Sequence, residues 1–271
     1  MKIFRNKVSL ISELLNKKNI AFVPTMGSIH KGHLSLIKRA KKETKNVIVS
    51  IYVNPKQFNS SSAFKKYPRN INKDIAILKK LSVKYLYVPN DRDIYSFKTK
   101  SPIYLDKFSK KLCGKFRPKH FKGVINVVNR FIEIIKPHSI ILGLKDFQQL
   151  SLIKLHIEKN KIPTKVISCS TVRGTNGIAL SSRNSNLTLS QIKIASKIYK
   201  YLKHKKNKTF FGNFKKNQLD LKNQLILLGV KKIDYLEHIN KKTLKLPKKV
   251  NEDYNIFIAY YLGKIRLIDN L

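Results

Sequence analysis

The segment Pro24-Thr25-Met26-Gly27-Ser28-Ile29-His30-Lys31-Gly32-His33 places two imidazoles three residues apart, with glycines before and after the first. At the start of a helix that spacing lets both rings face one point. There they can donate hydrogen bonds to phosphate oxygens as charge builds on a leaving group. Gly27 and Gly32 allow tight turns and close backbone approach. A helix opening here would add free N–H groups and a partial positive charge. A lone HxGH also fits a capping turn with incidental histidines. Its place between a strand-like and a helix-like run favours the phosphate.

Four further segments carry polar groups that suit the same chemistry. Ile51-Tyr52-Val53-Asn54-Pro55-Lys56-Gln57-Phe58 follows a strand-like run, and the amides of Asn54 and Gln57 can bind a hydroxy acid without adding charge. A polar-tipped turn would look similar. Residues 59–70 read as a mobile loop in which Tyr67 and Arg69 can close over the site or simply lie on the surface. In Leu112-Cys113-Gly114-Lys115-Phe116-Arg117-Pro118-Lys119-His120-Phe121, Arg117 and His120 can meet phosphate, although an ordinary basic turn reads the same way. Gly143-Leu144-Lys145-Asp146-Phe147-Gln148-Gln149 opens another helix. Lys145 offers a point charge to phosphate, Asp146 a helix cap, and Gln149 an amide for an acid. Finally, Ser170-Thr171-Val172-Arg173 and Gly177-Ile178-Ala179-Leu180-Ser181-Ser182-Arg183-Asn184 combine hydroxyls with guanidinium groups, an oxyanion-binding composition.

These segments need a scaffold that brings loop after loop to one edge. Strand-like runs at 19–24, 47–53, 85–88, 139–142 and 162–167 alternate with helix-like runs at 32–44, 70–81, 121–135 and 146–158. The alternation predicts a parallel sheet covered on both faces: an α/β, doubly wound, Rossmann-like nucleotide-binding domain over residues 1–171. After that the rhythm changes. Helix-like runs at 190–204 and 217–228 precede strand-like runs at 232–237, 254–261 and 264–268. A smaller C-terminal α+β domain, residues 172–271, is expected there, placed to act as a lid. The proposed boundary falls at the last motif, a common place for a site to close.

Composition narrows the alternatives. The 271 residues suffice for one large or two modest domains. No apolar run approaches the ~20 residues needed to span a bilayer. The first ten residues are too broken by Lys, Arg and Asn for a signal peptide, so a cytoplasmic protein is the expectation. Cys113 and Cys169 fit neither a structural zinc site nor a redox pair. Lys and Arg number 57 against 15 acids, a formal charge of +42. The lysines are spread along the chain and not interleaved with a nucleic-acid motif, which points to compositional bias rather than a specific nucleic-acid partner. The excess charge still helps to attract a polyphosphate.

In this order and spacing, the five segments resemble the pantothenate synthetase (pantoate–beta-alanine ligase) family of the HxGH nucleotidylyltransferase superfamily. VNPxQF, GxKDxQQ and LSSRN carry the likeness most specifically, from about residue 20 to 190, and Ile233-Asp234-Tyr235-Leu236-Glu237 extends it more weakly. The resemblance implies that pantoate attacks the α-phosphorus of Mg2+-ATP, and that the amine of beta-alanine then attacks the pantoyl adenylate. It implies that residues 26–33 line the ATP site, with His33 as the catalytic histidine. Gln57 and Gln149 would bind pantoate, and Gln57 would also lie near beta-alanine. Residues 143–146, Val172 and residues 180–183 would complete the ATP site, with His30, Lys145, Ser181, Ser182 and Arg183 on the phosphates. A homodimer is implied as well. The metal ligands stay open, with Asp74 only a guess. Leu144 stands where the family usually has Glu, Lys119 where it has a small residue, and Lys31 where an acidic one is common. Two other readings compete. One is an HxGH enzyme that transfers AMP to a phosphorylated precursor, which would need cations in place of the two glutamines. The other is a scaffold turned nucleic-acid binder.

Overall fold

The computed structural model describes residues 1–208, 214–248 and 252–271. The chain divides into two compact units, Met1–Thr171 and Val172–Leu271.

In the first unit the elements run β1 (Lys2–Phe4), α1 (Lys7–Leu14), β2 (Ala21–Thr25), α2 (Lys31–Glu43), β3 (Val47–Ile51), a 3-10 turn (Pro55–Gln57), α3 (Ser61–Lys65), α4 (Ile71–Lys80), β4 (Tyr85–Tyr87), α5 (Asp91–Tyr95), α6 (Cys113–Phe116), α7 (His120–Ile135), β5 (Ser139–Gly143), α8 (Phe147–Lys159) and β6 (Lys165–Cys169). Six parallel strands are ordered β1-β4-β3-β2-β5-β6. This is the doubly wound sheet expected from the alternation. Every residue of β3 is buried, as a central strand covered on both faces requires.

Side-chain alternation sorts the two faces. Ala21 and Val23 share a core with Ile37 and Ala40 of α2 and Leu78 of α4. Phe22, between them in sequence, meets Phe131 of α7 at a ring separation of 5.4 Å. Phe131 also packs at right angles to Tyr52, just past β3, and Tyr87 of β4, so one side chain of α7 bridges three neighbouring strands. Twelve of the sixteen residues in α7 are buried, which makes it the main cover of that face.

The strand order reverses beside β2. From β2 the chain steps outward through β3 to β4, then crosses back to lay β5 on the other flank of β2. Loops leaving β2 and β5 therefore separate in opposite directions, and the crevice between them is where such sheets receive ligands.

The second unit holds α9 (Leu189–Lys208), α10 (Phe214–Leu227), β7 (Lys232–Asn240), β8 (Tyr254–Leu262) and β9 (Ile265–Asn270). The three strands form an antiparallel sheet in sequence order. Ala195, Ile198 and Leu202 recur at helical spacing on α9 and pack with Leu236, Ile256 and Ile258.

Some elements differ from the sequence expectation. β1 and α1 arise where the sequence shows only a charged terminus. β1 is a short, largely exposed edge strand, too brief to show alternation, and α1 is started by Asn6 accepting from the amide of Ser9. β6 begins at Lys165 rather than 162, because Pro163 has no N–H to give the ladder. The expected mobile loop at 59–70 contains α3, capped by Ser60, with Phe58 edge-on to both Phe64 and Tyr67.

α7 and the turn after β3 approach each other too closely for a side chain between them. A Cβ on Gly123 of α7 would lie 2.2 Å from the carbonyl oxygen of Lys56. Gly123→Ala must therefore push the Pro55–Gln57 turn off α7. It is expected to cost about 1–3 kcal/mol in urea unfolding, as overpacking typically does. An unchanged midpoint would show that the turn yields freely.

Candidate active site

The loop between β2 and α2 is held from below by a carboxylate. Asp74, in the first turn of α4, is only 2% exposed. Its Oδ2 accepts from the amide of Ser28 at 2.8 Å and its Oδ1 from that of Ile29 at 2.7 Å. Gly27 and Ser28 take left-handed φ values of +78° and +53°. Gly27 has a second reason to lack a side chain, because a Cβ there would come within 2.9 Å of Asp74 Oδ2. The Gly27 amide donates to Thr25 Oγ1, whose hydroxyl donates to the Ser50 carbonyl of β3 at 2.7 Å. Ser28 has no glycine exemption from left-handed strain; the bond to a buried carboxylate holds it there.

The two histidines cap their own helix. His30 is the N-cap of α2, and its Nδ1 accepts from the Gly32 amide at 3.1 Å. His33 Nδ1 reaches back to the His30 amide at 3.3 Å. A backbone N–H can only donate, so both Nδ1 atoms are unprotonated, and each neutral ring carries its proton on Nε2. The rings lie 4.1 Å apart. Burial is the main force lowering His30 to about 4, helped by the Lys145 cation. Burial, then His30, lowers His33 to about 3. Two neutral N–H donors thus stand side by side, and the capping turn that the sequence offers as one alternative is present.

The amides of Gly27, Ser28, Ile29, His30 and Gly32 are consequently all occupied by side chains of the protein. The sequence suggests that the opening of α2 greets an anion with free backbone N–H groups. At these five positions it does not, because Asp74, Thr25 and the imidazoles have taken them.

Lys145 arrives from the other flank of the crevice. It lies in a 3-10 turn, Leu144–Asp146, that leaves β5, and its charge is felt by both histidines. Its Nζ is 3.3 Å from Asp146 Oδ1. Asp146 occupies the N-cap position of α8 without making a side-chain cap bond, so this ion pair replaces the capping role expected of it. Gln149 sits half-buried in the first turn of α8.

Beyond β3, Gln57 is 8% exposed and Asn54 1%. Gln57 Nε2 donates to the thioether of Met26, so this amide adjoins the β2 loop. Asn54 is committed inside the protein, donating to Gln57 Oε1 and to the Gly123 carbonyl. Arg117 and His120, read from the sequence as phosphate partners, both meet the Gln57 carbonyl oxygen, His120 Nδ1 at 2.8 Å. They clamp the backbone beneath the amide. Arg69 likewise turns onto Phe64, stacking on its ring and donating to its carbonyl.

In the second unit, the loop from Val172 to Leu180 closes on itself through the Leu180 amide and the Val172 carbonyl. Arg173 is taken by a bidentate pair with Asp269 at 2.6 and 2.9 Å and stacks on Tyr199. It braces the loop. Ser181 Oγ accepts from the Arg183 amide, shaping a turn on which Arg183 is exposed and Ser182 half-buried. Among the described residues, no group of three or more His, Cys, Asp or Glu side chains is placed to hold a metal ion.

Comparison with known proteins gives the family and the fold. A family model described as Pantoate-beta-alanine ligase matches residues 2–271. The pantothenate synthetase of Francisella tularensis subsp. novicida (strain U112) is 41% identical over 263 residues, 97% of this chain and 92% of the relative. A crystal structure of pantoate-beta-alanine ligase from Francisella tularensis, complexed with beta-gamma ATP and beta-alanine, superposes with a TM-score of 0.85 at 40% identity, covering 100% of this chain and 97% of that one. Pantothenate synthetase from Thermus thermophilus gives a TM-score of 0.92 at 30% identity, covering 100% and 99%.

Two measurements check the loop. Asp74→Asn replaces one acceptor by a donor facing a backbone N–H and is expected to lower unfolding free energy by about 1–3 kcal/mol; a neutral effect would remove Asp74 from its role. Nitrogen NMR of the imidazoles should find His30 and His33 as neutral Nε2–H tautomers with no titration between about pH 5.5 and 8. Their folded pKa values lie below the unfolded value of about 6.5, so the unfolded chain takes up protons that the folded one refuses. These two groups therefore weaken the fold as pH falls from about 6.5 towards 4, with little further change below about 3. A ring titrating near neutrality would contradict the capping geometry.

Proposed function

Because the chain belongs to the pantoate-beta-alanine ligase family, we propose that the loops around His30, His33 and Lys145 carry out the ATP-dependent condensation of (R)-pantoate with beta-alanine. A pantoate carboxylate oxygen attacks the α-phosphorus of ATP; the bond to the β-phosphate bridging oxygen breaks and pyrophosphate leaves. The beta-alanine amine then attacks the acyl carbon of pantoyl adenylate, loses a proton, and AMP departs with the ester oxygen. Both displacements proceed without a covalent enzyme intermediate. Alignment and charge stabilisation supply the rate.

The observation that carries this reading is the pair of neutral Nε2–H donors beside a lysine at the sheet's switch point. Such donors stabilise charge that develops on phosphate oxygens, and they need no proton from solvent at neutral pH. Lys145 adds a fixed cation. We assign Gln57 and Gln149 to the hydroxy acid, with Asn54 supporting Gln57 from behind. Ser181, Ser182 and Arg183 supply further phosphate donors, and residues 143–146, Val172 and Leu180 supply the remaining nucleotide contacts. The second unit then serves as a lid. Mg2+ enters as part of the Mg-ATP substrate. This fits a loop whose buried carboxylate, Asp74, already has both oxygens on backbone amides, because Mg2+ is commonly carried on substrate phosphates. The reaction belongs to a cytoplasmic homodimer in this reading.

Substrate omission tests the assignment. Pyrophosphate in a single turnover should require pantoate, and AMP release should require pantoate and beta-alanine together. AMP formed without pantoate would defeat the proposal. His33→Ala and Lys145→Ala should each slow adenylate formation by more than about tenfold, over ~1.4 kcal/mol, while the protein stays folded. Single-turnover rates near wild type would refute those roles.

A further inference from the structure

We propose that Tyr95, at the end of α5, is a positioning residue for the acid substrate: by donating to Asn54 it secures the orientation that decides which end of the Gln57 amide faces the substrate. The inference rests on the reading that Gln57 binds the hydroxy acid.

Two backbone partners of Asn54 have roles that cannot be exchanged. Asn54 Oδ1 accepts from the backbone amide of Lys56 at 3.2 Å. Asn54 Nδ2 donates to the backbone carbonyl of Gly123 at 3.1 Å. An amide N–H only donates and a carbonyl only accepts, so the Asn54 side chain has a single satisfied orientation. Tyr95 Oη lies 2.8 Å from Asn54 Oδ1 and must donate to it. Burial pushes this phenol up to about 12, so it keeps its proton at any pH at which the enzyme works.

The same orientation determines Gln57. Asn54 Nδ2 is 3.2 Å from Gln57 Oε1 and donates to it, which claims the oxygen end of that amide. The Nε2 end is turned towards Met26, on the loop that carries His30 and His33. Gln57 therefore offers N–H, and no carbonyl, to whatever lies beside that loop. A hydroxyl or carboxylate oxygen is accepted there; an ammonium group is not. The relay presets that amide to receive an oxygen.

Tyr95 is well placed to hold this state. Its ring takes two cations, the Lys56 ammonium 3.7 Å from the ring centre and the Arg130 guanidinium at 5.0 Å. The end of α5 has its own anchor, because Arg130 Nη1 donates to the carbonyls of Ile94 and Phe97 at 3.0 and 2.6 Å. Removing only the hydroxyl leaves both the ring stack and that anchor in place.

The test is a double-mutant cycle with Tyr95→Phe and Gln57→Ala, reading the KM for pantoate, the KM for ATP and the melting temperature. Tyr95→Phe should raise the pantoate KM about fivefold or more, the scale of one hydrogen bond, with the ATP KM and melting temperature near wild type. In the Gln57→Ala background the same change should have no further effect on the pantoate KM. Equal effects in both backgrounds, an unchanged pantoate KM, or a parallel loss of stability and of both KM values would overturn the inference alone. A pantoate KM unmoved by Gln57→Ala would overturn it together with the role given to Gln57. The absence of pantoate-dependent turnover in the wild type would overturn it together with the proposed function.

Discussion

Asp74 sends both oxygens of a buried carboxylate into the backbone of the loop after β2, and the rest of the site is arranged around that fact. Two consecutive left-handed residues could not be held there cheaply otherwise, since each departs from the conformations that L-residues favour. Once Ser28 and Ile29 are pinned, His30 falls at the head of α2, where its ring can cap the helix, and His33 falls one turn on, where it can answer. The strained loop and the histidine pair are thus one construction, with its foundation on a different helix from the one it decorates.

That construction changes how a phosphate can be met. Many sheets of this class use the naked amides at a helix start. Here those at five loop positions are already satisfied, two of them by the imidazoles themselves. Side-chain donors reach further from the backbone than amides do. They also remain uncharged while buried, avoiding the desolvation that an imidazolium would suffer beside Lys145. The topology supplies the cation from the opposite flank, because β5 lies beside β2 only after the chain has turned back across the sheet.

Most of the scaffold is legible in the sequence because periodicity reports burial. The continuous apolar run of β3 and the helical spacing in α2 and α7 are direct images of two-sided and one-sided covering. β1 and α5 leave no such image: three to five residues cannot display a period. The histidines and Lys145 are visible as residue types beside strand ends. Asp74 is not identifiable as the loop's anchor, since an acid in the first turn of a helix ordinarily serves the helix itself. The contact of Arg117 and His120 with the Gln57 backbone is hidden for a related reason. A basic turn signals its charge in the sequence, but its carbonyl partner at Gln57 carries no letter. Lys119 stands out in the sequence as bulkier than usual, and its φ of +70° gives the reason a small residue suits that position.

The 2.9 Å between a notional Cβ on Gly27 and Asp74 Oδ2 has an evolutionary side. Neither position changes freely: a side chain at 27 presses on the carboxylate, and loss of the acceptor at 74 leaves two inward amides stranded. The burden is lopsided, because replacing Asp74 would remove the clash at 27 but not the left-handed φ of +78°, so glycine stays required even where the acid is gone.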